Sequence, residues 1–102
     1  MAFVFLQEFQ ASTDDRSTTN YDAVAARLDV ASNPPDGLIV HTAGWDDQGI
    51  FRIVDVWDSR EQAERFMTEQ LQPALDEGMP DETNATPPSR EARYETHDAA
   101  KG

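Results

Sequence analysis

Two apolar runs of equal length, Leu38–Trp45 (LIVHTAGW) and Ile50–Trp57 (IFRIVDVW), flank the polar tetrapeptide Asp46-Asp47-Gln48-Gly49. A linker this short allows the chain only to reverse on itself, so the two runs must pair as an antiparallel hairpin. An isolated hairpin is marginally stable in water. The segments on either side therefore have to complete a sheet and cover it.

They do so in a regular order. Ala2–Phe9 (AFVFLQEF) starts aromatic and β-branched and then alternates, as a strand buried on both faces at its start would. Thr19 with Asp22 reads as a helix start, and Tyr21, Val24, Ala25 and Leu28 recur at helical spacing to form one apolar stripe. Asn33-Pro34-Pro35-Asp36-Gly37 ends that helix. After the hairpin, Ser59 with Gln62 caps a second helix, whose buried stripe is Ala63, Phe66, Met67, Leu71, Ala74 and Leu75. Pro73 falls inside the stripe and predicts a kink or break near Gln72, and Gly78 is a natural stop. Glu77–Ser89, rich in proline and polar residues, reads as a mobile loop, and Arg90–Thr96 alternates as a last, half-exposed strand.

The order strand, helix, strand, strand, helix, strand is that of the ferredoxin-like α+β fold. Right-handed crossovers then give a four-stranded antiparallel sheet in the order 4-1-3-2, with both helices on one face. We expect one such domain over residues 1–98, followed by a disordered tail, 99–102. The face opposite the helices is left uncovered, and a bare sheet containing Phe, Ile, Val and Trp would be a large exposed apolar patch, which a second copy would cover. The expectation is a homodimer with an interface of about 2,000 Å² or more.

Composition limits the possible partners. The net charge of −12, with Lys101 as the sole lysine, repels phosphate backbones and anionic membranes, so no nucleic-acid or membrane partner is expected. The absence of cysteine removes disulfides, thiolate catalysis and Cys-based zinc sites. Met1–Leu6 is too short and lacks the basic start of a secretion signal, and no run approaches a membrane span, so the expected location is cytoplasmic.

The run Pro35–Gly44 (PDGLIVHTAG), then Val54–Ser59 (VDVWDS), Phe66 and Leu71–Leu75 (LQPAL) resembles the dimeric α/β-barrel superfamily. Within it, the chain is similar to small actinobacterial proteins of the antibiotic-biosynthesis-monooxygenase-like group. The resemblance spans roughly residues 2–97 and implies two sheets packed as a barrel, with a ligand pocket between sheet and helices. The superfamily includes cofactor-free oxygenases, haem degraders and isomerising enzymes. Its haem degraders carry an Asn on the first strand and a Trp and a His along the second helix; the matching positions here hold Gln7, Phe66 and Asp76. With no axial histidine there, neither haem nor any other cofactor is expected.

Six residues are the candidates for chemistry or packing. His41, mid-strand, reads as packing or as a proton-transfer group, and His97, ending the last strand, reads similarly. Tyr21 at a helix start can send its hydroxyl into a pocket. Trp57 and Phe66 read as core or pocket wall, and Trp45 as an interface or pocket lip. In addition, Asp55 lies among apolar strand residues and needs a partner, for which Arg52 and Arg93 are the natural candidates. In a dimer, the second strand of one copy could meet the last strand of the other and bring His41 and His97 together. No nucleophile–base pair, metal-ligand spacing or phosphate loop stands out in the spacing. The leading expectation is a homodimer that binds a small, largely apolar molecule. The alternatives are a cofactor-independent monooxygenase or related enzyme acting on an aromatic or polyketide-like substrate through His41, and a structural or regulatory dimer without ligand.

Overall fold

The computed structural model describes residues 2–10, 19–78 and 88–97. The hairpin forms as its turn requires, with β2 (Leu38–Trp45) and β3 (Ile50–Trp57) at the bounds the sequence predicts. The Asp46 carboxylate accepts from the backbone N–H of Gln48 and Ile50, at 2.8 and 3.0 Å. Gly49, at φ +82, takes the left-handed conformation that closes the reversal. β1 (Phe3–Gln10) lies beside β3, and β4 (Arg90–Glu95) lies beside β1, so the order is β2-β3-β1-β4 and every pairing is antiparallel. This is the ferredoxin-like arrangement. The order and strandedness agree with expectation.

Cross-strand partners point to the same side of a sheet, so the register separates the two faces. Trp57, Asp55, Ile53 and Phe51 of β3 oppose Phe3, Phe5, Gln7 and Phe9 of β1 on one face. Val56, Val54 and Arg52 oppose Val4, Leu6 and Glu8 on the other. The helices cover the first face. Helix α2 (Arg60–Phe66) starts at Ser59, whose hydroxyl accepts from the Gln62 N–H at 3.2 Å and donates to Gln62 Oε1 at 3.1 Å. It lays Ala63 and Phe66 on Phe3, Phe5 and Trp57, and that cluster is the core.

Pro73 has the predicted effect. A π-helical turn, Met67–Leu71, precedes the short helix α3 (Gln72–Asp76), and the Gln72 N–H reaches the Met67 carbonyl. The wider turn absorbs the carbonyl clash a proline imposes on an α-helix. The extra residue also rotates the side chains of α3 about the helix axis. Ala74 stays buried, whereas Leu75, expected in the stripe, is 36 % exposed. Gly78 ends the segment with φ +87.

Helix α1 (Thr19–Leu28) ends earlier than Asn33-Pro34 would require, through a left-handed Asp29 at φ 51. Thr19 is already helical rather than the cap. No residue of α1 is fully buried; Leu28 at its end and Val30 just beyond it pack against the core. Arg27 holds its far end by donating to the carbonyls of Ala74 and Gly78, at 2.9 and 2.7 Å. The loop expected over Glu77–Ser89 falls outside the described residues except at its ends, and the expected 99–102 tail falls outside them entirely. Among the described residues, no helix is long and apolar enough to cross a membrane.

Candidate functional site

One irregularity in β2 aims the site. Leu38 opposes Trp57 and Val40 opposes Val56, so Ile39 is an extra, bulged residue. Regular alternation from Leu38 would have turned Val40 toward the helices and His41 away from them. The bulge reverses this, and His41 faces the helices opposite Asp55.

His41 Nδ1 bonds the Asp55 carboxylate directly. His41 Nε2 lies 2.6 Å from the hydroxyl of Tyr21 on the first turn of α1. The Tyr21 and His41 rings are nearly coplanar, 5° apart. An imidazole held at both nitrogens by a carboxylate and a phenol is a Tyr–His–Asp relay, which spacing along the sequence does not suggest. The Asp55 side chain is 15 % exposed and that of His41 is 31 % exposed, so the pair is shielded but reachable. The hydrogen bond to Asp55 raises the His41 pKa above the usual 6.5 against the opposing cost of burial. Burial raises that of the Tyr21 phenol, and the charges of Asp55 and Asp22 add to the effect.

An aromatic row continues from the relay. Tyr21 meets Phe51 edge-on at 5.3 Å between centroids, and Phe51 meets Trp45 at 5.0 Å. Ala43, two residues beyond His41 on the same face, is exposed, and Ile53 beside it is half-buried. Together these make an apolar shelf next to the relay, open among the described residues.

The expected partners of Asp55 need correction. Arg52 lies on the opposite face, where it donates to Glu8 Oε2 at 2.5 and 3.1 Å and to Asp46 at 3.1 Å. Arg93 shares the face with Asp55 but lies two strands away. It covers the Phe5 ring at 4.4 Å and pairs with Glu91. Counting outward from a four-residue turn would have paired His41 with Val54. Because Asp46 instead pairs with Ile50, its N–H reaching the Ile50 carbonyl at 3.0 Å, the register shifts by one residue and brings His41 opposite Asp55. Phe51 is a second residue that sequence reasoning missed, and the same register places it beside Trp45.

The other candidates separate. Trp57 and Phe66 pack against each other at 5.2 Å in the closed core, with Trp57 1 % exposed. His97 is exposed, just past β4 on the far edge of the sheet. His41 points to the helices with both nitrogens engaged inside its own chain, so no ring nitrogen remains for a histidine of a second copy. The positions that differ from the haem degraders are also accounted for. Gln7 donates to Glu91 at 3.1 Å, Phe66 is core, and Asp76 accepts from Gln72 at 2.9 Å. Among the described residues, no group of three or more histidine or acidic side chains could hold a metal ion.

On the face away from the helices, Glu8 is the one buried charged residue among those described. Its carboxylate lies between Arg90 at 2.9 Å and Arg52, and these two guanidinium groups hold its pKa below the usual carboxylate value. Next to this ionic row the same face carries Val4, Leu6, Val54 and Val56, with Val40 and Tyr94 exposed at 45 % and 49 %.

Solved structures share this architecture from end to end. Rv0793 from Mycobacterium tuberculosis matches over 99 % of this chain and 100 % of its own, with TM-score 0.69 and 13 % identity. A protein proposed to be an antibiotic biosynthesis monooxygenase from Chloroflexus aurantiacus matches over 99 % and 98 %, with TM-score 0.65 and 16 % identity. The chain shares the ferredoxin-like fold of these structures. SnoaB, a cofactor-independent oxygenase from Streptomyces nogalater, has the same fold, with TM-score 0.63 and 13 % identity over 96 % of this chain and 95 % of its own. At these identities the likeness concerns the fold alone. No family model and no curated protein matches the sequence.

Proposed function

We propose that this chain is a homodimer that binds a small, largely apolar aromatic molecule on the shelf beside α1 and moves a proton on it, without a cofactor, through Tyr21, His41 and Asp55. The observation that carries this reading is the double engagement of His41. A packing histidine needs one partner, whereas this one joins a carboxylate to a phenol at the edge of an open aromatic surface. The row Tyr21–Phe51–Trp45 suits a flat ring, and a cofactor-independent oxygenase has the same fold. The dimer rests on the valine-rich face opposite the helices, with Val40 and Tyr94 left in contact with solvent.

Native mass spectrometry should give a two-chain mass, and a one-chain mass throughout the micromolar range would contradict the dimer. Proton transfer is tested with a panel of bicyclic and tricyclic hydroxyaromatics in D₂O. By taking the O–H proton, the native protein should accelerate deuterium entry at the nucleophilic ring carbon of the resulting oxyanion, such as C1 of 2-naphthol, and His41→Ala should abolish the acceleration. No acceleration over buffer for any compound would reduce the protein to a binding or structural dimer.

A further inference from the structure

The proposed proton transfer leaves open which atom meets the ligand. Both nitrogens of His41 have partners, Asp55 at Nδ1 and the Tyr21 hydroxyl at Nε2. A ligand could reach His41 only by displacing Tyr21, which α1 and the edge-on contact with Phe51 hold in place. The Tyr21 oxygen has one hydrogen and two lone pairs, and its bond to His41 leaves part of that capacity unused. It also stands where the relay borders the shelf of Phe51, Trp45 and Ala43.

We infer that Tyr21 is the catalytic residue that touches the ligand, that His41 and Asp55 act through it, and that the ligand is an aromatic molecule bearing a hydroxyl or enolisable carbonyl oxygen. This rests on the shelf being the binding site, as proposed above. With His41 neutral, the ligand O–H gives its proton to Tyr21 Oη while the Tyr21 proton passes to His41 Nε2. The ligand is left as an oxyanion, and the imidazolium is held by Asp55 through Nδ1–H. The reverse transfer restores the resting state, so protons and charge balance. The base direction operates above the raised pKa of His41, and the acid direction operates below it. Among the described residues, the charged groups around the relay are Asp55 on β3 and Asp22 on α1, with Glu91 and Arg93 of β4 beyond Phe5. Asp55 favours a protonated imidazole, and Asp22 acts on the Tyr21 phenol.

The test compares 2-naphthol with naphthalene, which has the same rings without the oxygen, as ligands of the native protein and of Tyr21→Phe. Native protein should prefer 2-naphthol by roughly tenfold, the value of one partly shielded hydrogen bond. Tyr21→Phe should lose that preference while binding naphthalene as before. A retained preference would overturn the inference, because the ligand oxygen would then be meeting His41 or another group. An equal loss for both compounds would also overturn it, since that marks Tyr21 as a support for α1. Failure of native protein to bind either compound would remove the shelf as a binding site, and with it the proposed function.

Discussion

The helix-facing side of the sheet has two ends built from the same strands to different purposes. At one end Phe3, Phe5, Trp57, Ala63 and Phe66 close on one another under α2 as an apolar cluster. At the other, the next residues along those strands meet α1, none of whose residues is fully buried, and the contact is a phenol, an imidazole and a carboxylate beside half-covered rings. On β3, Asp55 lies two positions before Trp57, so a single strand serves both ends. Stability here comes from excluding water. Chemistry requires a side chain that is shielded enough to shift its pKa and open enough to meet a ligand. The sheet supplies both by covering one end with a tightly packed helix and the other with a loosely packed one.

If that division holds, substitutions at the two ends should differ in kind. Trp57→Ala should have the largest effect, costing about 3–5 kcal/mol by urea unfolding, through lost burial and an unfilled cavity. A loss below about 1 kcal/mol would mean that the core is elsewhere. His41→Gln should cost less, on the order of 1 kcal/mol, because the pair is partly exposed and screened. Its pH dependence is the sharper test. A histidine whose pKa is raised by folding stabilises fully below its unfolded value and loses that contribution as pH rises through the folded one. The gap between native and His41→Gln should therefore be widest near about pH 5.5 and narrow by about pH 8.5. A gap that widened with rising pH would break the assignment. Glu8, with its lowered pKa, has the opposite sign, so Glu8→Gln should lose its penalty only as pH falls below the usual carboxylate range. Leu75→Gln should be the mildest change, within about 0.5 kcal/mol, since the π turn has already rotated that side chain to the surface.

Much of this division was legible in the sequence. Equal apolar runs around a short polar turn gave the hairpin, but the register was not legible to the residue, because Asp46 pairs with Ile50 and shifts every partner by one from what equal runs imply. Helical spacing singled out Tyr21, and Pro73 located the break in the second helix. The pairing of Asp55 was misread because charge complementarity pointed to arginines, whereas strand alternation sends Arg52 to the opposite face. The bulge at Ile39 had no glycine or proline to announce it, and it arises only when β2 docks on β3. The early end of α1 was hidden for a similar reason, because an aspartate, Asp29, takes the left-handed conformation that stops the helix ahead of the proline and glycine downstream.

The imidazole of His41 reports most directly on whether the loosely covered end is a built site. An NMR pH titration of the native protein should place its pKa above the usual 6.5, and Asp55→Asn should bring it down. A pKa at or below 6.5 that ignored Asp55→Asn would contradict the relay.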